Sequence, residues 1–540
     1  MRKIISIIVC LVSVLTLQAQ ITEYMRIYTD KDNYLAGEDM WIKVCVTDSL
    51  QRESQISKVA YVEISDTHQA YAQGKIALKN GVGWGRIKFS QTMHSGTYQL
   101  MAYTRYMRNR SEDCFPGKYI AVLNANQATE EDDVELLTDS ILRISENLPA
   151  SSLRSLTEKS VYGNRSKVTL KLSGLPDNMR DLTLSVVRKD CTLPLFPSLG
   201  SLQKTNTGSS AHLIAECEGH IVTGKLIGAS ADSVDARLSC VGKDIRIFDG
   251  QLQPDGTYVF YTSGVTNMQD VVLTALPERG RPGRLEVVSP FAGLLPESLP
   301  ELRLAYDEEA LIERSIGAQL HAILPVDSTQ NQSILEQLHN FSPSISYNLD
   351  EYVRFNTVRE AFIEFVMGVR VSKVEGETII RILQEDIKRF SSLKALVLID
   401  GVPIENHETV LDYNARLLHY IHQYSGRYTF GGKLYEGIVS LITHKGTLPG
   451  LRLDENSQLF AYEFPQNRPV FMTPAYDSEE QLTSRIPDFR HTLYWNPDIT
   501  LTTDAVSFYT SDMKGTYVVT LQGITDKGEA VKIQSEFVVK

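Results

Sequence analysis

The chain has 540 residues, 42% hydrophobic and 22% charged, with a formal net charge of −12. That length exceeds what one core organises and predicts roughly three to five domains. The acidic balance and the lack of a basic tract exclude a nucleic-acid or anionic-lipid binder built on positive charge.

Residues 1–19 read as a signal peptide. Arg2 and Lys3 form its basic start, residues 4–17 its apolar run, and Ala19 a small residue for cleavage. The run is shorter than the roughly 20 residues that a spanning helix needs. Cys10 lies inside it, which makes a lipid anchor unexpected. No later run is long enough to cross a bilayer as a helix, and no series of lipid-facing strands is apparent. The mature chain is therefore expected to be exported and without a transmembrane segment, either periplasmic or outer-membrane-associated. Five cysteines remain, Cys45, Cys114, Cys191, Cys217 and Cys240. Their spacing suits no zinc site. In an oxidising compartment Cys217–Cys240 is the pair to test first, against the alternative of buried apolar thiols.

Residues 20–123 alternate apolar and polar positions in short runs broken by Gly, Asp and Asn, which predicts an antiparallel sandwich. Residues 124–150 are acidic and predict a linker with a short helix around Val134–Ile144. Strand patterns resume at 151–215 and again at 216–295, giving a second and a third sandwich. Residues 296–345 read as a mixed connector with helices near 307–323 and 332–340. Residues 346–455 combine a helix-to-strand segment (352–371) with an apolar strand, LKALVLIDGVPI. Within the first of these, Val358, Phe362, Phe365 and Val366 share one helical face. The rest of this region reads as helix, strand, Gly-rich loop and strand. Residues 456–540 return to strands and predict a C-terminal sandwich, in which Gly515-Thr516-Tyr517 echoes Gly96-Thr97-Tyr98.

Two segments carry family resemblances. TDKDNYLAGEDMWIKVCV with SGTYQLMAYTRYMRN resembles the MG2-type domain of α2-macroglobulin-like bacterial proteins. Tyr34, Gly37, Glu38, Trp41, Gly96 and Tyr98 occupy its pattern. Gly37 and Gly96 suit turns with positive φ, and the three aromatics suit a core. Residues 393–446 resemble the plug domain of TonB-dependent outer-membrane receptors, on Asp400, Gly401, Pro403, Gly431, Gly437, Ile438, Thr443 and Gly446. The order of parts, ending in TLYWNP, resembles exported proteins of the Bacteroidetes type. The implied fold class is mainly β: several immunoglobulin- or macroglobulin-like sandwiches plus one small α/β plug-like domain.

The search for chemistry yields no catalytic, cofactor or metal residue. The thioester tetrapeptide of trapping macroglobulins is lacking, and Cys217-Glu218-Gly219 does not replace it. Neither Gly-x-Ser-x-Gly nor His-Glu-x-x-His occurs. His419 and His422, three apart in LLHYIHQY, suit one helix face but have no third ligand at a defined spacing. Asp400 reads as a turn cap. Arg105, Arg108 and Arg110 read as solvated heads at a strand end, or as an anion or glycan surface. Asp-Ser/Thr tripeptides at 48–50, 139–141, 232–234 and 327–329 resemble O-glycosylation sites. The expectation is a non-enzymatic scaffold that binds an envelope protein partner, linked to outer-membrane transport by the plug resemblance. A macroglobulin-like peptidase inhibitor without thioester and a glycan-binding module are the alternatives.

Overall fold

Runs that alternate in polarity at period two can bury one face of a sheet, and stacking two such faces makes a sandwich. The computed structural model of the chain builds most of its elements this way. It describes residues 22–110, 115–127, 134–136, 156–173, 175–193, 196, 199, 202–203, 213–228, 234–277, 283–323, 342–384, 388–430 and 433–540. The expected signal peptide, Cys114, the 332–340 helix, Gly431 and the tripeptides at 139–141 and 327–329 lie outside these residues, as do Asp232 and Ser233. The protein is mainly β. No helix among the described residues is long and apolar enough to cross a membrane.

The described residues divide into two compact units. The first draws on 1–217, 291–333 and 465–540, the second on 218–290 and 334–464. The first unit opens with a sandwich. One sheet has the order Tyr24–Thr29, Asp39–Thr47, Val82–Lys88. The other runs Asn33–Leu35, Gly117–Leu123, Gly96–Thr104, Val59–Ser65, Ala70–Ala77. Met40, Ile42 and Val44 face the core between them. The opposite face of the same strand is also buried. Trp41 lies on Phe471 and Trp495, with ring centroids 5.2 and 5.1 Å away. Lys43 Nζ donates to the Leu182 carbonyl at 3.3 Å. Coverage on both faces leaves DMWIKVCVT buried along nearly its whole length.

The second sandwich of this unit corrects the expected domain boundaries. Its main sheet has the order Val161–Tyr162, Ala530–Val539, Gly515–Thr525, Met179–Arg188, Thr492–Asn496, and Lys167–Lys171 pairs with Ala505–Tyr509. The stretches 151–215 and 456–540, expected to be separate sandwiches, thus interleave in one core. Strand Ser457–Glu463 belongs elsewhere, pairing with Met268–Pro277 in the second unit. The Gly-Thr-Tyr echo has a shared physical form. Tyr98 Oη donates to the His94 carbonyl and Tyr517 Oη to the Met513 carbonyl, both at 2.9 Å and four residues upstream, the arrangement of a tyrosine corner. Gly37 has a φ of 91° as expected, but Gly96 is not among the glycines with positive φ and starts its strand.

One further expectation changes. Val134–Leu136 is a strand, paired in parallel with Leu302–Leu304, where the spacing suggested helix. The helix Glu308–Ile323 forms as expected, capped by Asp307, whose carboxylate accepts from the Ala310 N–H at 3.1 Å. Its buried stripe is Ala310, Arg314 and Gly317, however, and Ile312 and Ile316 are exposed. The stripe is polar because Arg314 enters a buried set of acids. Its Nε and Nη2 donate to Glu38 (both 2.7 Å), Nη1 to Asp190 (3.0 Å) and to Asn33 Oδ1 (2.8 Å), and Nη2 also to the Asn33 carbonyl (3.1 Å). His491 Nε2 lies 2.9 Å from Asp190. Glu38, part of the MG2-like pattern, thus acts as an ion-pair partner.

The second unit holds a sandwich and a mixed α/β module. The sandwich sheets have the orders Gln251–Leu252, Thr257–Thr262, His220–Ile227, Arg284–Val288 and Ile247–Asp249, Val234–Cys240, Met268–Pro277, Ser457–Glu463. Cys240 faces this core while Cys217 is exposed, and both are free thiols, as are Cys45 and Cys191. The suggested Cys217–Cys240 bridge is therefore not formed. Burial pushes the Cys240 thiol up to about 12, and a group so placed behaves as a small apolar side chain.

Candidate functional site

The α/β module grows from one hairpin. Ile399 pairs with Val402 across Asp400-Gly401, whose φ values are 44° and 79°. Positive φ at both central residues is the two-residue turn that Asp-Gly favours. At Gly401 a Cβ would stand 2.9 Å from the carbonyl oxygens of Cys240 and Asp244, so only glycine fits. Asp400 is fully buried. Its Oδ1 accepts from the Thr443 N–H (2.7 Å), and Oδ2 from the Thr443 hydroxyl (2.7 Å) and the Leu448 N–H (2.8 Å). This carboxylate locks a turn, as read from the sequence, and holds strand Lys433–Thr443 parallel to Leu396–Ile399.

The sheet order is Ile345–Asn348, Leu418–Phe430, Lys433–Thr443, Leu396–Ile399, Val402–Pro403. A second sheet, Val369–Val374, Glu377–Gln384 and Arg389–Phe390, and the helices Val358–Glu364 and His407–Leu411 complete the module. Buried His407 Nδ1 accepts from the Ile380 N–H at 2.8 Å. Burial, and then Lys394, push its pKa down to about 4. A folded-state pKa below the ordinary value near 6.5 means that the unfolded chain takes up the proton first. Stability of this unit is thus expected to be full above about pH 6.5 and to fall by roughly 3 kcal/mol towards pH 4. Urea unfolding at pH 7 and pH 4.5 checks this, and His407→Gln should flatten the difference.

Segment 345–367 carries the module's most unusual surface. Asn348 and Thr357 cap a 3₁₀ turn and the helix Val358–Glu364, accepting from the backbone N–H groups of Asp350 and Glu360. Thr357 starts the helix later than the sequence spacing suggested. Val358, Phe362 and Val366 enter the core, with Phe365 packed against it. The other side presents Val353, Ile363 and Met367 at 79%, 73% and 75% exposure, with Tyr352 at 41%. Aromatic rings hold it in place. Phe365 stacks on Tyr352 with centroids 4.5 Å apart and on Phe355 at 5.8 Å. The Tyr347 hydroxyl accepts from the Met367 N–H at 2.9 Å, and Gln423 Nε2 donates to the Met367 carbonyl at 2.9 Å. Several large apolar side chains left in water on one short, aromatic-stacked segment suit an interaction surface.

Charged and ionisable groups border this surface. Arg354 pairs with Asp350, and its Nη1 donates to the Leu418 carbonyl at 2.7 Å. His419 and His444 reach the same carboxylate, their Nε2 atoms 3.4 and 3.6 Å from Asp350 oxygens. The histidine pair named from sequence is therefore not the pair that forms. LLHYIHQY contributes to the strand Leu418–Phe430 rather than to a helix, and His422 lies opposite Ser346 across the edge pairing. His444 and Asp350 were missed because they lie far along the chain, where no spacing rule reaches.

The remaining sequence-named residues serve structure. Arg110 stacks over Tyr24 at 5.4 Å and donates to the Glu23 carbonyl at 3.4 Å, and Arg108 lies in a 3₁₀ turn. Asp48 of the first tripeptide accepts from the N–H groups of Leu50 and Arg52 in an exposed turn. A polar cleft of about 440 Å³ in the first unit is lined by Lys43, Lys79, Arg180 and Arg468 against Glu53, Asp181 and Asp498. Three of its cations, Lys43 among them, are already engaged. Arg180 donates to the Gln51 carbonyl, and Arg468 donates to the Lys79 and Val82 carbonyls while stacking on Trp84. The cleft reads as a structural seam.

No family model and no curated protein matches the sequence. Among solved structures, bacterial α2-macroglobulins are neighbours. The native conformation of the Escherichia coli protein is 9% identical at a TM-score of 0.24, covering 96% of this chain and 40% of that one. Salmonella α2-macroglobulin reacted with methylamine is 10% identical at a TM-score of 0.16, covering 95% and 23%. A CARDB domain from Pyrococcus furiosus is 11% identical at 0.15, covering 19% of this chain and 94% of that one. The chain thus spans under half the length of the two macroglobulins. Likenesses at this level bear on neither activity nor partner.

Proposed function

We propose that this protein is a non-enzymatic scaffold of the bacterial envelope that docks a protein partner through the aromatic–aliphatic surface of its α/β module. The exposure of Tyr352, Val353, Ile363 and Met367 within one short segment, beside the Tyr352–Phe365 stack, carries this reading. Exposed apolar residues of this size, held rigid beforehand, are what a partner desolvates at low entropic cost. Arg354 and Arg359 at its border suit a rim of charge-assisted contacts. The basic start and apolar run at the N-terminus support export, and the plug-like motif of 393–446 points to an outer-membrane protein as partner.

A Val353→Asp/Met367→Asp double variant of the full chain tests the reading. Truncating or charging a central docking residue costs roughly 2 kcal/mol or more, so recovery of the partner from envelope fractions should fall at least tenfold. The thermal transition should stay unchanged, because both side chains are solvent-facing. Leu252→Asp, an exposed leucine of the sandwich in the same unit, should retain the partner. Equal recovery by all three proteins would refute the docking surface.

A further inference from the structure

Next to this surface, three donor groups from distant parts of the chain converge. The Asp350 carboxylate and the Nε2 atoms of His419 and His444 offer ligand atoms that all lie within 4.8 Å of one another. Each sits on a fixed base. Asp350 occupies the 3₁₀ turn capped by Asn348, His419 is the second residue of its strand, and His444 directly follows Lys433–Thr443. The two imidazoles stack with centroids 4.8 Å apart and planes at 15°, and the Nε2 atoms lie 3.4 and 3.6 Å from Asp350 oxygens.

We propose that Asp350, His419 and His444 form a binding site for a divalent transition-metal ion of the zinc class. Two imidazoles and one carboxylate suit such an ion and leave at least one coordination position open. A tetrahedral ion with bonds near 2.0–2.1 Å needs donor atoms roughly 3.3 Å apart. The ligand atoms, at most 4.8 Å apart, need to close by up to about 1.5 Å. The His444 lone pair is already presented. Arg354 Nη2 stands 3.2 Å from His444 Nε2, and since a guanidinium can only donate, that nitrogen must accept.

Arg354 is the resident cation of this site. It holds Asp350 and faces His444, so an incoming metal must displace its Nη2 group, while Nη1 can keep the Leu418 carbonyl. This competition distinguishes the site from any chance surface histidine. Removing a true competitor tightens metal binding, whereas removing a ligand weakens it.

The test is Zn²⁺ titration calorimetry on the untagged full chain, with Co²⁺ absorption as a second readout of coordination. Wild type should bind one Zn²⁺ at this site. His419→Ala, His444→Ala and Asp350→Asn should each weaken binding at least tenfold. Arg354→Ala should tighten it several-fold, and His422→Ala, which removes a neighbouring imidazole outside the cluster, should leave it unchanged. Circular dichroism of each variant confirms folding. Binding that is insensitive to His419 and His444, or lost in Arg354→Ala, would overturn the proposal, as would the absence of a Co²⁺ ligand-field band in the wild type.

Discussion

Replacing Arg314 by methionine is expected to destabilise the first unit by about 3–5 kcal/mol, the largest single effect anticipated in the protein. Arg314 is about 2% exposed, and its guanidinium donors are all engaged, by Glu38, Asp190 and Asn33. Burial alone would raise the Glu38 carboxyl. Arg314 and Lys31 overcome it and hold the group well below the usual carboxylate range. Asp190 is likewise pushed up by burial and held down by Arg314 and His491. Without the guanidinium, two carboxylates stay buried, with Lys31 only 3.3 Å from one of them as partial compensation. The cost is the uncompensated charge, not the loss of a favourable pair. A triple variant, Arg314→Met/Glu38→Gln/Asp190→Asn, should therefore recover part of the stability, and the non-additivity is measurable by urea unfolding. An Arg314→Met protein within 1 kcal/mol of wild type would contradict this account.

The second large effect is expected at Asp400. Asp400→Ala leaves two backbone N–H groups and one hydroxyl without acceptors in the core of the α/β module. An unsatisfied buried donor costs about 1–3 kcal/mol, so a total loss of roughly 3 kcal/mol or more is anticipated for the second unit. Asp400→Asn should lose less, because asparagine tolerates the left-handed backbone and keeps one acceptor oxygen. Urea midpoints of the two variants should rank alanine below asparagine and asparagine below wild type. The reverse order would mean that the carboxylate is not what holds the turn.

Much of the local structure was legible in the sequence. The Asp-Gly dipeptide announced its hairpin, and the two Gly-Thr-Tyr runs marked strands that open on a buried tyrosine, because these signals act within a few residues. The alternation in DMWIKVCVT and VAYVEIS marked strands for the same reason. What pairs with what was not legible. Nothing local says that Met179–Arg188 finds Gly515–Thr525 more than 300 residues later, so one interleaved sandwich was read as two. Val134–Leu136 was read as helix because a three-residue strand shows no period and takes its structure from the partner Leu302–Leu304. In LLHYIHQY the helical spacing of two histidines misled, and the Tyr and Ile of the same run were the better guide to a strand.

The candidate surface was only half visible. Val358, Phe362, Phe365 and Val366 were placed on one apolar face, and the structure turns that face inward. The functional hint lies in what remained, Tyr352, Val353, Ile363 and Met367, too many large apolar residues for one short segment to bury. The Asp350–His419–His444 cluster depends wholly on tertiary placement, since its ligands come from one turn and two adjacent strands.

The docking claim is tested most directly by site-specific photo-crosslinking in intact cells. Benzoylphenylalanine placed at Val353 or at Met367 should capture one and the same envelope protein, and Ile363→Asp should abolish both adducts. The same probe at exposed Leu252 and Leu501 should capture neither. Adducts at 353 and 367 no more abundant than those at 252 and 501 would contradict the account.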